Sequence, residues 1–228
     1  MKKNLTFILA VALLVIATSC EKTSLGHTFI TTFPTITLLG DNPLIAQLGE
    51  EFEDPGFTAV LDGQDWSSNV NVASDVDSSY PGIYSMVYST KSKEGFPFSV
   101  VRDVYVLNPG GIPNIYISRA RNTSGTRDYK NIPIVITEES EGVYLLEDLL
   151  GGYYFAGVYP GYEPTYDFHA EVKFSINEDG SFNILEAGDF FFKSSFDYDN
   201  ITGGYNAETG VFDYNFDGVL VTLTPYEP

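Results

Sequence analysis

From Pro34 onward the chain is cut into short apolar or alternating runs, each closed by glycine, proline, asparagine or aspartate. That punctuation constrains the fold more than any other feature, because runs of this length suit strands and leave little room for helices. Thr35-Ile36-Thr37-Leu38-Leu39 stops at Gly40-Asp41-Asn42-Pro43, and Leu44 to Leu48 stops at Gly49. Phe57 to Leu61 lies between the turns Glu53-Asp54-Pro55-Gly56 and Asp62-Gly63. Val70 and Val72 alternate with polar neighbours, and Pro81-Gly82 turns the chain. Ile83 to Ser89 then puts Tyr84, Met86 and Tyr88 on one face, and Phe98, Val100, Val104 and Val106 suggest a closing strand ending near Leu107. This is the spacing of a β-sandwich over residues 34–107.

Asn108-Pro109-Gly110-Gly111-Ile112-Pro113 cannot continue a strand, so 108–113 reads as a linker. Residues 114–228 again read as β. Candidate strands are Ile115 to Ala120, Ile132 to Thr137, Gly142 to Leu146, Tyr153 to Tyr159 and Phe168 to Ile176, followed by Ser181 to Glu186, Phe190 to Tyr198, Gly204 to Asn206, Val211 to Phe216 and Val219 to Thr224. Up to ten strands joined mainly by tight turns make an antiparallel meander, which must close into a barrel or fold onto itself to protect its edges. Glu147-Asp148-Leu149-Leu150 is the one place where a helical turn is expected. The fold class is therefore all-β, a sandwich followed by an antiparallel β-meander domain.

The amino end carries an address. Lys2 and Lys3 precede an apolar run from Phe7 to Ala17, and small residues lead directly to Cys20, the only cysteine. A bacterial lipoprotein signal peptide ends in this way. Residues 1–19 read as that signal, Cys20 as the lipidated first residue of the mature chain, and 20–33 as a flexible tether, His27 included. Glu21, acidic and next to Cys20, fits export to the outer face of the outer membrane. With Cys20 acylated no thiol remains for a disulfide or a nucleophile.

Composition excludes further classes. The formal charge is −19, and loss of Lys2 and Lys3 leaves 10 basic against 31 acidic residues. A nucleic-acid backbone would be repelled. Aromatics make up 15% and charged residues 19%, a balance that suits β surfaces and binding faces.

Two resemblances follow. Gly40-Asp41-Asn42-Pro43, the run from Gly49 to Ala59 with Glu53-Asp54-Pro55-Gly56-Phe57-Thr58-Ala59 at its end, Pro81-Gly82-Ile83-Tyr84 and Val101-Arg102-Asp103-Val104 resemble the bacterial immunoglobulin-like domain of pesticidal crystal proteins and Bacteroidetes surface proteins. That likeness implies a seven-stranded sandwich used as a spacer or adhesive module. Gly142 to Tyr154, Ile201-Thr202-Gly203-Gly204-Tyr205 and Glu208-Thr209-Gly210-Val211-Phe212 resemble the carboxy-terminal domain that follows this module in small Bacteroidetes lipoproteins. Such proteins are often encoded beside starch-utilisation-type (SusC/SusD-like) transporters and their lid lipoproteins, which implies accessory nutrient capture at the cell surface.

No residue pattern specifies a reaction. His169 is the only histidine in either folded domain, and the string Gly-x-Ser-x-Gly is absent. Glu138, Glu139, Glu141, Glu147 and Asp148 read as a solvated acidic edge, as does Asp197-Tyr198-Asp199-Asn200, so neither a metal nor a cofactor is expected. The candidate ligand-binding residues are Tyr159, Tyr162 and Tyr166, set around Pro160, Gly161 and Pro164 in an apparent loop, and Trp66 after Asp65. Rings with a polar handle stack on sugar faces and grip peptides. The expectation is a non-catalytic nutrient-binding or accessory subunit taking a glycan or oligopeptide, with a transporter and a lid lipoprotein as partners. The alternative is a structural or adhesive surface protein that meets only other proteins.

Overall fold

The computed structural model describes residues 31–162, 165–192 and 197–228. The signal peptide, Cys20, His27, most of the 20–33 tether and Pro164 lie outside the described residues.

The first domain is a sandwich of two sheets. One holds β1 (Thr35–Leu38), β3 (Phe57–Leu61) and β4 (Gln64–Asp65) in the order β1-β3-β4. The other holds β2 (Leu44–Gln47), β7 (Pro97–Leu107), β6 (Gly82–Lys91) and β5 (Asn71–Ser74) in the order β2-β7-β6-β5, with β2 parallel to β7. Period-two alternation sends Met86 and Tyr88 of β6 and Val104 and Val106 of β7 inward, where they meet Ile36, Ala46 and Ala59.

The same alternation places Arg102 inside, fully buried. Its Nη1 donates to Asp54 Oδ1 at 2.6 Å, and its Nη2 donates to the carbonyls of Leu39 (2.6 Å) and Gly56 (3.2 Å). The Tyr88 hydroxyl lies 2.9 Å from both Asp54 oxygens, and burial with that neighbour pushes its pKa up to about 12. Asp54 also accepts from the Gly56 amide at 3.0 Å, so the Glu-Asp-Pro-Gly turn is folded around the carboxylate that neutralises the core arginine. We predict that Asp54→Ala costs about 3 kcal/mol, because it strands a buried guanidinium. Urea unfolding of the variant checks this, and an unchanged midpoint would refute it.

The second domain is an eight-stranded antiparallel sheet curled into a nearly closed barrel. Its strands are β8 (Asn114–Asn122), β9 (Asp128–Ser140), β10 (Val143–Leu146), β11 (Val172–Ile176), β12 (Phe182–Ala187), β13 (Thr202–Asn206), β14 (Val211–Phe216) and β15 (Val219–Pro225). Each pairs with its sequence neighbours, except that β12 and β13 form no ladder, and β15 returns to pair with β8. Inside, Tyr116, Phe174, Phe212, Tyr214 and Phe216 fill the space with aliphatic residues, and Phe182 packs its ring on Phe212 and Tyr214. The interior is a packed core, as small barrels require.

The linker is held at both ends. The Asn108 amide donates to Asn114 Oδ1 at 3.1 Å, and Asn114 Nδ2 donates back to the Asn108 carbonyl at 3.2 Å. Beside it, Tyr105 of β7 meets Tyr226 edge to face at 5.2 Å.

Several expected elements differ. Tyr153 to Tyr159 is not a strand, since Tyr153–Val158 forms a π-helical turn. Of the expected strand Phe190 to Tyr198, residues 193–196 lie outside the described residues, Phe191 and Phe192 form a turn, and Tyr198–Asn200 is a short 3-10 turn. The segment Phe168 to Ile176 becomes a strand only from Val172. Glu147 to Leu150 is an irregular turn, not a helical one. Aromatic alternation suggested strands here, but in both long segments the rings pack on one another instead of forming a ladder.

Candidate functional site

Two connections of the barrel are long, residues 147–171 between β10 and β11, and 188–201 between β12 and β13. Leu146 pairs with Val172, and Val172 with Ala187, so both connections leave the barrel on the same side. Tyr153 of the first meets Tyr129 at the start of β9, which is the end remote from the linker's entry into β8.

The first connection folds inward before it turns out. Leu149, Leu150 and Tyr153 are buried, the Tyr214 hydroxyl donates to the Leu149 carbonyl at 2.9 Å, and Ser118 Oγ donates to the Gly151 carbonyl at 2.7 Å. Gly151 has φ +60, and a Cβ there would sit 2.6 Å from Ser118 Oγ. Only glycine fits that approach and that backbone.

Asp148 holds this segment. It is fully buried, which corrects the reading of it as part of a solvated acidic edge. Its Oδ1 accepts from the amides of Leu150 (3.1 Å) and Ala170 (2.9 Å), and its Oδ2 from the amide of Gly152 (2.6 Å). One carboxyl thus joins the two ends of the connection. Burial raises its pKa above the ordinary value of 3.8, opposed by those three amides and by His169. We predict that Asp148→Asn costs about 1–3 kcal/mol, since at least one amide loses its acceptor. The sign of the pH effect follows from linkage. The unfolded chain loses this proton first, so the wild-type contribution falls as pH rises above 3.8 and the gap to the variant narrows. Denaturant titrations of both proteins between pH 4 and 7 check this, and a gap that widens would overturn it.

Beyond Asp148 the π-helical turn spreads its rings. Tyr154 meets Phe190 and Phe192, each at 5.5 Å, and Phe155 stacks on the His169 ring at 4.1 Å. His169 Nδ1 lies 2.8 Å from Asp167 Oδ1, and the His169 amide, with the ring, lowers the Asp167 pKa. His169 thus sits between a ring and a carboxylate, before β11 and not on a strand.

The outer part is an aromatic surface. Phe168, 3% exposed, is its base: Tyr159 stacks on it at 4.8 Å, Phe192 at 5.3 Å, and Phe191 meets it edge-on at 5.0 Å. Tyr162 and Tyr166 lie 6.2 and 6.3 Å from the same ring. Tyr162 (51% exposed), Tyr166 (44%), Phe191 (54%) and Phe192 (48%) face solvent together. Tyr159, Tyr162 and Tyr166, singled out from the sequence, therefore share one surface. Trp66 does not join them. It packs half-buried at the edge of the sandwich core with Nε1 donating to Thr90 Oγ1 at 3.1 Å.

Sequence reasoning missed Phe191 and Phe192 as members of this surface. The signal was present in three successive phenylalanines, 190–192, since a half-buried strand would turn one of every two toward water. Among the described residues no group of histidine, cysteine, aspartate and glutamate is placed to hold a metal ion. The Asp197 carboxylate accepts from the Asp199 amide and from Asn200 Nδ2, capping the short turn.

Residues 36–106 match the family model described as bacterial surface protein, Ig-like domain. The sandwich is an Ig-like domain. Residues 112–224 match a second family model, of a C-terminal domain. The chain is similar to the lipoprotein BT2262 from Bacteroides thetaiotaomicron, whose crystal structure superposes with a TM-score of 0.58 at 28% identity, covering 84% of this chain and 98% of that one. A structure containing CBM51-2 and INT domains of Clostridium perfringens ZmpB matches 50% of the chain and 29% of its own at 18% identity, but its TM-score of 0.28 carries no argument. No curated protein matches the chain. Among the described residues no helix is long and apolar enough to cross a membrane.

Proposed function

We propose that this protein is a lipoprotein anchored through Cys20 in the outer membrane and facing the cell exterior, where it acts as a non-catalytic nutrient-binding or accessory subunit. The sandwich spaces the barrel from the membrane, and the barrel end remote from the linker makes contact with a glycan or an oligopeptide. Its partners in this reading are a SusC/SusD-like transporter and lid lipoprotein. The observation that carries it is the convergence of Tyr162, Tyr166, Phe191 and Phe192, four exposed rings on one buried ring. An apolar surface of this kind is not what a solvated loop needs, and such patches mark contact sites. Similarity to a lipoprotein and the match to a surface Ig-like domain support the address.

The test uses the full chain in detergent and its Tyr162→Ala and Phe191→Ala variants, screened against glycan and peptide arrays and used as bait in native outer membranes. We predict that each variant weakens ligand binding about tenfold. Its unfolding midpoint should stay at that of the wild type, because both rings are already half in water. Wild-type protein that binds neither array, yet still recovers proteins through the same rings, would replace nutrient binding with the structural or adhesive role.

A further inference from the structure

The barrel has one interruption, and its geometry suits a guest. The turn that leads into β12 meets β13 where the Tyr205 amide donates to the Gly180 carbonyl at 2.8 Å. A Cβ on Gly204 would sit 2.2 Å from the Gly180 carbonyl oxygen, so glycine is what allows that approach. From there the two strands diverge, leaving a slot of about 590 Å³ lined by Ser181 to Ala187 on one side and by Tyr198, Asp199 and Ile201 on the other.

The wall formed by β12 presents main chain. The Asn177 amide donates to the Ser181 carbonyl at 2.9 Å, which makes that pair a bonded one across the hairpin. Antiparallel pairs alternate, so in the register Ile176↔Phe182, Ser175↔Asn183 and Phe174↔Ile184 the outward N–H and C=O groups belong to Phe182 and Ile184. Among the described residues nothing bonds to them. Phe182, Ile184, Tyr198 and Ile201 pack partly exposed against the barrel core, which gives the slot an apolar floor. Its rim is acidic, with Glu186 and Asp199 and no basic residue among the described residues that line it. Glu186 meets Lys173 Nζ at 3.4 Å, an ammonium that Glu139 shares at 3.3 Å.

We propose that this slot takes an extended, cationic polypeptide segment as an added strand on β12. The open main-chain edge recognises a backbone, the apolar floor takes every second side chain, and the acidic rim takes basic residues between them. β12 has six residues and spans about 20 Å, the length of a short guest strand. This site is distinct from the aromatic surface and does not depend on it.

The probe is an acetylated, amidated Lys-Val-Lys-Val-Lys-Val hexapeptide, titrated into the full chain in detergent by calorimetry, with two versions N-methylated either on the valines or on the lysines. Binding should slow amide exchange at Phe182 and Ile184, and methylation of one set, but not of the other, should weaken it about tenfold, because a guest strand turns only alternate amides toward β12. Glu186→Lys should weaken it in a salt-dependent way, and Tyr162→Ala should leave it unchanged, which separates this site from the aromatic one. No binding at millimolar peptide, equal binding by both methylated versions, or protection confined to residues 159–192 outside β12 would each overturn the proposal.

Discussion

The candidate site depends on one buried carboxyl. Residues 147–171 carry few ladder hydrogen bonds, so little in their backbone fixes where their rings point. Asp148 supplies the missing constraint by accepting amides from both ends of the segment, Leu150 and Gly152 on one side and Ala170 on the other. With the ends tied, Phe168 is brought to a fixed place two residues before Ala170, and the exposed rings are arranged around it. Without that tie the same aromatic residues would gain by collapsing into the barrel mouth, because each exposed ring forgoes the free energy of burial.

The sandwich uses the same device for another purpose. Asp54 bonds the Gly56 amide, the Tyr88 hydroxyl and Arg102, so a single carboxylate joins the turn before β3 to β6 and β7 across the core. A buried ion pair contributes little net stability, but it penalises every arrangement that separates its members. In both domains the polar group is therefore placed where a specific geometry matters more than extra stability. The Asn108 and Asn114 side chains repeat the pattern on a smaller scale at the linker.

Much of this was legible from residue order. Glu53-Asp54-Pro55-Gly56 and Arg102 stood out as a resemblance before their ion pair gave the physical reason, and the short runs closed by turn residues marked the neighbourhood of every described strand but the two-residue β4, well enough to place both domains in one fold class. The misses share a cause. Tyr153 to Tyr159 and Phe190 to Tyr198 have strand composition, yet their rings are held by contacts with residues distant in sequence, such as Tyr154 with Phe192 and Phe168 with Phe191. Local periodicity has no term for that. Asp148 was misread for the same reason: its charge suggested solvent, while the three amides that accompany it inside come from folded backbone.

The open seam follows from the same aromatic surface. After β12 the chain carries Phe191 and Phe192 to Phe168, and β13 begins at Thr202. A tight turn between β12 and β13 would close the barrel and would remove both phenylalanines from the surface. The edge left by this detour is short and interrupted by the bulge between Lys173 and Phe174, devices that discourage open-ended pairing between copies while leaving room for one strand. Presentation of the rings and exposure of the edge are thus two consequences of one excursion of the chain.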